Sequence, residues 1–228
     1  MLRPAALVFD LDGTLIDSRR DITTAINRMR ADLGRPPLTL EQVVTMVGEG
    51  AKLLVFRALG GDVPEQILER ALSTYLEHYR DVCLETTQPY PGVEALLESV
   101  AARYPMALLS NKGEALSRKI LDGLNLSRFF REILGGDSLP TRKPDPGGLL
   151  HLARRLQVPP ERLLMVGDTW VDAVTARNAG CPFGLVEWGF PRTPAPEELQ
   201  ADLRTADPDE LRVRLLSLSG QAPEPKPS

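Results

Sequence analysis

Ala5-Ala6-Leu7-Val8-Phe9 runs directly into Asp10-Leu11-Asp12-Gly13-Thr14. A short, unbroken apolar run that stops at acidic residues and a glycine predicts a strand buried on both faces, with a polar loop at its carboxyl end. Three similar runs recur: Met106-Ala107-Leu108-Leu109, Leu163-Leu164-Met165-Val166 and Phe183-Gly184-Leu185-Val186. Each lies next to a segment with helical spacing, such as Val93 to Ala102 or Pro146 to Leu156. Strands and helices that alternate in this way predict an α/β fold: a parallel sheet with helices packed on both faces and its site in the loops at the carboxyl ends of the strands.

The alternation is interrupted once. From Ser18 to Glu85 the apolar residues fall at helical spacing, first Ile22, Ala25, Ile26 and Met29, then Leu53, Leu54 and Phe56 to Leu59, then Ile67, Leu68, Ala71, Leu72 and Tyr75. No strand-like run separates them, which predicts a helical insert over 18–85. Pro89, Pro91 and Gly92 mark the return to a core made of 1–17 and 86–220, because a proline cannot continue a helix or a central strand. The last eight residues, Gln221 to Ser228, contain three prolines and no apolar period and are expected to be a disordered, solvated tail.

With 228 residues, 43% of them hydrophobic, the chain can bury a substantial core. A net charge of -4 without a Lys/Arg stripe argues against a nucleic-acid partner. The first apolar run is far too short for a membrane span or a signal core, so a cytoplasmic protein with no membrane partner is expected, as a monomer or homodimer. Cys83 and Cys181 lack metal-ligand spacing and read as buried apolar residues of a reducing compartment. His78 and His151 have no second histidine at ligand spacing and read as structural or surface residues.

Asp10 and Asp12 at the end of a buried strand place two like charges in a partly desolvated loop, an arrangement that a divalent cation offsets. Oxygen donors without a His or Cys pattern favour Mg2+ over zinc. A lone Asp-x-Asp is otherwise a turn with a capping aspartate. Phe9 to Leu15 resembles the signature of the haloacid dehalogenase superfamily. The resemblance implies a Rossmann-like core in which Asp10 attacks phosphorus to form an aspartyl-phosphate, while Asp12 protonates the leaving oxygen and then activates water. Dehalogenases and phosphonatases of that superfamily lack a carboxylate at the position of Asp12, so its presence points to phosphate ester chemistry.

Three further elements occur in the order the resemblance requires. Ser110-Asn111-Lys112 follows the second strand run, with Ser110 and Asn111 expected to hydrogen-bond phosphate oxygens, as is Thr14 of the first loop. Lys143-Pro144-Asp145-Pro146 resembles the motif whose lysine steadies charge on the nucleophile and the phosphoryl group. Gly167-Asp168-Thr169-Trp170-Val171-Asp172 is a second acidic loop after a buried strand. The implied metal ligands are Asp10, Asp168 and the backbone carbonyl of Asp12. Asp172 is either an outer partner of the metal or a charge at a helix N-terminus. Trp188-Gly189-Phe190 and the stretch from Ala201 to Leu211 also resemble the family's C-terminal part and are expected to pack.

In such enzymes the helical insert is a cap domain that closes over the site and reads the leaving group. Gly48-Glu49-Gly50 resembles the specificity loop of phosphoglycolate phosphatase-like members, which makes 2-phosphoglycolate or a similar small metabolite the expected substrate. Glu49, if turned inward, repels the carboxylate of that substrate, a charge that Lys52 or Arg57 would offset. The competing readings are a phosphosugar mutase and a regulatory protein that binds phosphate without chemistry.

Overall fold

The computed structural model describes residues 2–190 and 199–219. The chain runs β1 (Ala6–Phe9), β2 (Ile16–Asp17), α1 (Arg19–Asp32), α2 (Leu40–Val44), α3 (Ala51–Ala58), α4 (Glu65–Val82), β3 (Gln88–Pro89), α5 (Val93–Ala101), β4 (Met106–Leu109), α6 (Glu114–Gly123), β5 (Glu132–Leu134), α7 (Gly147–Leu156), β6 (Leu163–Gly167), α8 (Trp170–Ala179), β7 (Phe183–Val186), β8 (Leu203–Thr205) and α9 (Pro208–Ser219). Six strands pair in parallel in the order β5-β4-β1-β6-β7-β8.

The apolar runs form central strands because both of their faces have cover. Along β1, Leu7 and Phe9 join one core with Met106, Leu108, Leu164 and Val166, while Ala6 and Val8 join another with Ala107, Leu109, Leu163 and Met165. The side chains alternate between faces with the period of two that a strand imposes. Leu96, Leu97, Ile120 and Leu215 of α5, α6 and α9 cover the first face, and Leu149, Leu152 and Ala176 of α7 and α8 cover the second. Leaving β1 the chain moves to β4 and β5 on one side, then returns past β1 to β6, β7 and β8 on the other. The direction of travel reverses between β1 and β6, the place where open sheets of this kind bind ligands outside the carboxyl ends of their strands.

The four helices between β2 and β3 contain no strand among the described residues. At their base Ile16 pairs with Pro89 and Asp17 with Gln88, antiparallel. Pro89 therefore sits in a strand after all, a two-residue ribbon with an open edge where the missing donor costs nothing. Asp21 in the first turn of α1 ties the two crossings together, accepting the backbone N–H of Thr86 at 3.0 Å, that of Thr87 at 2.8 Å and the Thr87 hydroxyl at 2.7 Å.

Five elements escape periodicity because they are too short to show one: β2, β3, β5, β8 and α2. The last has a sequence signal that lies outside its apolar pattern, a capping box in which Thr39 and Gln42 exchange side-chain-to-backbone hydrogen bonds of 2.9 and 3.3 Å. The expected tail at 221–228 lies outside the described residues.

Candidate active site

Asp10 is the first residue after β1, Ser110 the first after β4 and Asp168 the first after β6, so three neighbouring strands deliver three polar groups to one edge of the sheet. Lys143 comes from the loop between β5 and α7. Its Nζ lies 2.8 Å from Asp10 Oδ1 and 2.6 Å from Asp172 Oδ1, with the lysine side chain 2% exposed and that of Asp172 fully buried. Burial works against the charged lysine, but Asp10 and Asp172 outweigh it and hold the ammonium well above the ordinary lysine range.

Asp172 takes the helix N-terminal role open to it in the sequence and adds a contact to Lys143 that the sequence does not show. It closes a capping box at the start of α8, its Oδ2 accepting the backbone N–H of Thr169 at 3.1 Å and the Thr169 hydroxyl at 2.6 Å, while Oδ1 orients Lys143. One carboxylate thus fixes the helix that carries it and the cation that faces Asp10.

Asp168 accepts the Thr14 hydroxyl at 3.2 Å on Oδ1 and the backbone N–H of Phe190 at 3.2 Å on Oδ2. Thr14, expected to contact substrate, thus donates to a carboxylate of the site. Gly13 has a φ of +88°, and a Cβ there would stand 2.3 Å from Asp168 Oδ2, so only glycine lets the two acidic loops approach this closely. Trp188-Gly189-Phe190 does more than pack. Trp188 Nε1 donates to the Thr14 carbonyl at 3.0 Å, and Gly189 lies so close that a Cβ would meet Asp168 at 2.5 Å.

Side-chain oxygens of Asp10, Asp168 and Asp172 all lie within 4.8 Å of one another. Three buried carboxylates against the single ammonium of Lys143 leave a formal excess of two negative charges, which one divalent cation would cancel. The donor set is all oxygen, the preference of a hard cation. Asp172 is already bound on both oxygens, to Lys143 and to Thr169.

Burial pushes the Asp10 carboxyl up to about 7; Lys143 opposes the rise, and Asp172 and Asp168 add to it. The folded protein then holds a proton between the unfolded carboxyl's ordinary range and pH 7 that the unfolded chain has released, so this group's contribution to stability is full below about pH 4 and is lost as pH rises to about 7. In chelator-treated protein, wild type should lose on the order of 2–3 kcal/mol between pH 5 and pH 8 relative to Asp10→Asn, read from urea unfolding. Parallel pH profiles for the two proteins would show that Asp10 is not the titrating group.

The second signature carboxylate has a separate environment. Asp12 Oδ1 accepts the Ser18 hydroxyl at 2.5 Å and Lys112 Nζ at 2.7 Å. Lys112 also donates to the Tyr79 hydroxyl at 2.5 Å, and its ammonium lies 4.6 Å from the centre of the Tyr79 ring. Lys112 has no role legible in the sequence, because a lysine after a strand reads as solvated until its partners, 100 and 33 residues away, are known.

Asn111 donates its amide to the carbonyls of Gly48 and Lys143, both at 3.0 Å, and so bridges the glycine loop of the insert and the lysine loop of the core. Its Oδ1 is buried with no partner among the described residues. Asp10, Asp12, Gly48, Gly50, Ser110, Asn111 and Lys112 line one cavity of about 50 Å³, walled by Tyr75, Tyr79 and Leu54 of the insert. Glu49 does not line it. Its carboxylate pairs with Arg57 at 2.6 Å, and Lys52 pairs with Glu65. His78 pairs with Asp32 at 2.7 Å, and the thiols of Cys83 and Cys181 are buried and free.

The chain belongs to the haloacid dehalogenase-like hydrolases, whose family profile matches residues 7–186. It is 43% identical over 193 residues to the phosphoglycolate phosphatase of Pseudomonas putida, covering 82% of this chain and 71% of that one. To the phosphoglycolate phosphatase of Thiobacillus denitrificans it is 39% identical over 202 residues, covering 86% and 89%. The crystal structure of a predicted phosphoglycolate phosphatase from Haemophilus somnus superposes with a TM-score of 0.88 at 28% identity, over 94% of this chain and 99% of that one.

Proposed function

We propose that the protein is a magnesium-dependent phosphatase that hydrolyses a small phosphomonoester, 2-phosphoglycolate or a close analogue, through an aspartyl-phosphate on Asp10. The observation that carries this reading is the pairing of two carboxylates in different settings on one cavity: Asp10 against Lys143, and Asp12 against Lys112. A nucleophile and a proton carrier need different surroundings to do different work.

Asp10 attacks phosphorus in line with the ester oxygen. Asp12 gives its proton to that oxygen as the bond breaks, and in the second half takes a proton from the water that cleaves the acyl phosphate. Lys143 faces the charge that builds on Asp10 and the phosphoryl oxygens, and Asp172 keeps it aimed. Asp10, Asp168 and the Asp12 carbonyl would hold Mg2+, which supplies Lewis-acid stabilisation of the transferring phosphoryl group. Residues 18–85 act as the cap domain on a core of 1–17 and 86–220, with Tyr75, Tyr79 and Leu54 keeping water from the reacting group. The cavity suits a small leaving group: a single water needs about 10–15 Å³ of such space, so about 50 Å³ has room for a few water-sized groups.

The names of the relatives support the same substrate class. No helix among the described residues is long and apolar enough to cross a membrane, and the net charge is -4. The reading places the chain in the cytoplasm as a monomer or homodimer acting on a free metabolite.

The test is phosphate release from 2-phosphoglycolate, pyrophosphate, several sugar phosphates and an aryl phosphate, each with magnesium and with chelator. A strong preference for 2-phosphoglycolate that chelator abolishes is expected, and absence of release from every ester would overturn the reading. Asp168→Asn should raise the magnesium concentration needed for half-maximal rate by about tenfold or more, because one of two carboxylate ligands is replaced by a neutral amide. An unchanged magnesium requirement would remove Asp168 from the ligand set.

A further inference from the structure

We infer that Lys112, with the hydroxyl of Tyr79, is the receptor for an anionic group on the leaving alcohol and makes this site select a carboxylate-bearing phosphoester over a neutral one. The inference deepens the proposed function and rests on it.

Lys112 is the one cationic side chain among the described residues that line the cavity. Lys143 faces Asp10 and Asp172, while the cations of the insert nearest the glycine loop, Lys52 and Arg57, are held by Glu65 and Glu49. The carboxylate that would have repelled an acidic substrate is therefore turned away and neutralised, and the ammonium that would attract one faces the cavity. The lysine is nearly buried, with its side chain 7% exposed, and the aromatic ring of Tyr79 packs against its charge. Asp12 compensates this ammonium while its carboxyl is charged; when Asp12 holds the proton it gives to the leaving oxygen, the buried ammonium attracts an anion that water would otherwise screen.

Its position is also right for the leaving group. Lys112 Nζ lies 2.7 Å from Asp12, the carboxylate assigned to protonate the leaving oxygen, so an anion on Lys112 sits next to that oxygen and away from the phosphoryl group held by Asp10 and Lys143. The Tyr79 hydroxyl accepts from Lys112 and lies against Ser18, and can turn its own proton to the same anion. Tyr79 belongs to α4 of the insert and Lys112 to the core, so an anion bound by both would join the two parts of the chain over the reacting ester.

The experiment compares kcat/KM for 2-phosphoglycolate with that for 2-hydroxyethyl phosphate, in which a neutral alcohol replaces the carboxylate, in wild type, Lys112→Gln and Tyr79→Phe. Wild type should prefer the acid. Lys112→Gln should shrink that preference about 10- to 100-fold, mainly through KM for the acid, as expected for loss of a charged hydrogen bond. Tyr79→Phe should shrink it by a smaller factor, and its melting temperature with and without glycolate shows whether the fold and the anion site survive. If Lys112→Gln slows both substrates by the same factor, the lysine acts only by positioning Asp12 and the inference is overturned, while the phosphatase reading stands. Should Lys112→Gln fail to fold, Tyr79→Phe decides, and an unchanged preference there overturns the inference. A wild type that turns over both esters but without preference removes the substrate assignment together with this inference.

Discussion

Asp10→Asn should abolish turnover, by about 10⁴-fold or more in kcat, while the protein still folds and melts cooperatively. The asparagine matches the aspartate in shape but cannot form an acyl phosphate, and loss of a covalent nucleophile has effects on this scale. The fold should survive because Asp10 stands at the edge of the sheet and not within either core: Leu7 and Phe9 pack on one face, Ala6 and Val8 on the other, and none of them touches the chemistry. The neutral amide also relieves a buried charge whose proton affinity is already raised to about 7. The measurement is a single-turnover assay with 2-phosphoglycolate beside a thermal melt. Retention of more than a few per cent of the wild-type rate would refute Asp10 as the nucleophile.

Lys143→Met should fail differently, losing both activity and stability. Methionine fills much the same volume, but it leaves Asp10 and Asp172 facing one another without their shared cation. Removing one partner of a buried ion pair costs about 3–5 kcal/mol, which in a chain of this size lowers the melting temperature by about 6–20 °C. Part of the loss can be avoided if one carboxyl takes up a proton, so the destabilisation should be larger at pH 8 than at pH 5. Asp172→Asn added to Lys143→Met should recover stability by removing one of the unpaired charges, without recovering activity. A melting temperature of Lys143→Met equal to wild type would show that the lysine contributes nothing to the fold, and rescue of activity by the second change would show that it does not act on the phosphoryl group.

The two variants separate groups that look alike in sequence. Asp10 and Lys143 are each a single charged residue in a loop, yet one is dispensable to the fold and the other is expected not to be. The difference lies in their partners: Lys143 compensates two carboxylates, whereas Asp10 is one of three that together lack sufficient positive charge. A cation would relieve that imbalance, so the proposed active site is also a local source of instability in the metal-free chain.

Much of this site was legible because its parts are local. A buried strand announces itself in four or five consecutive apolar residues, and the residue after its end lies at the sheet's edge wherever the strand sits in the sheet. Asp10, Ser110 and Asp168 could thus be placed together from Phe9, Leu109 and Val166–Gly167 alone. Three of the four helices between β2 and β3, namely α1, α3 and α4, are legible for a similar reason, since helical periodicity needs no knowledge of the partner surface.

What the amino-acid sequence determined by itself was the α/β class, the strands that carry the site and the residue types that reach it. Which charges compensate one another depended on how distant parts of the chain pack. The tertiary structure turned Glu49 to Arg57 and away from the cavity, gave Asp172 to both Thr169 and Lys143, set Trp188 to Phe190 against the acidic loops, and brought Lys112 between Asp12 and Tyr79. It also made strands of Glu132–Leu134 and Leu203–Thr205, three residues each, which pair because a neighbouring strand offers its edge. The physical reason is common to all of these. Burial and periodicity are written in neighbouring residues, whereas a charge acquires its meaning from the nearest opposite charge in space, and the chain can bring that partner from 100 residues away.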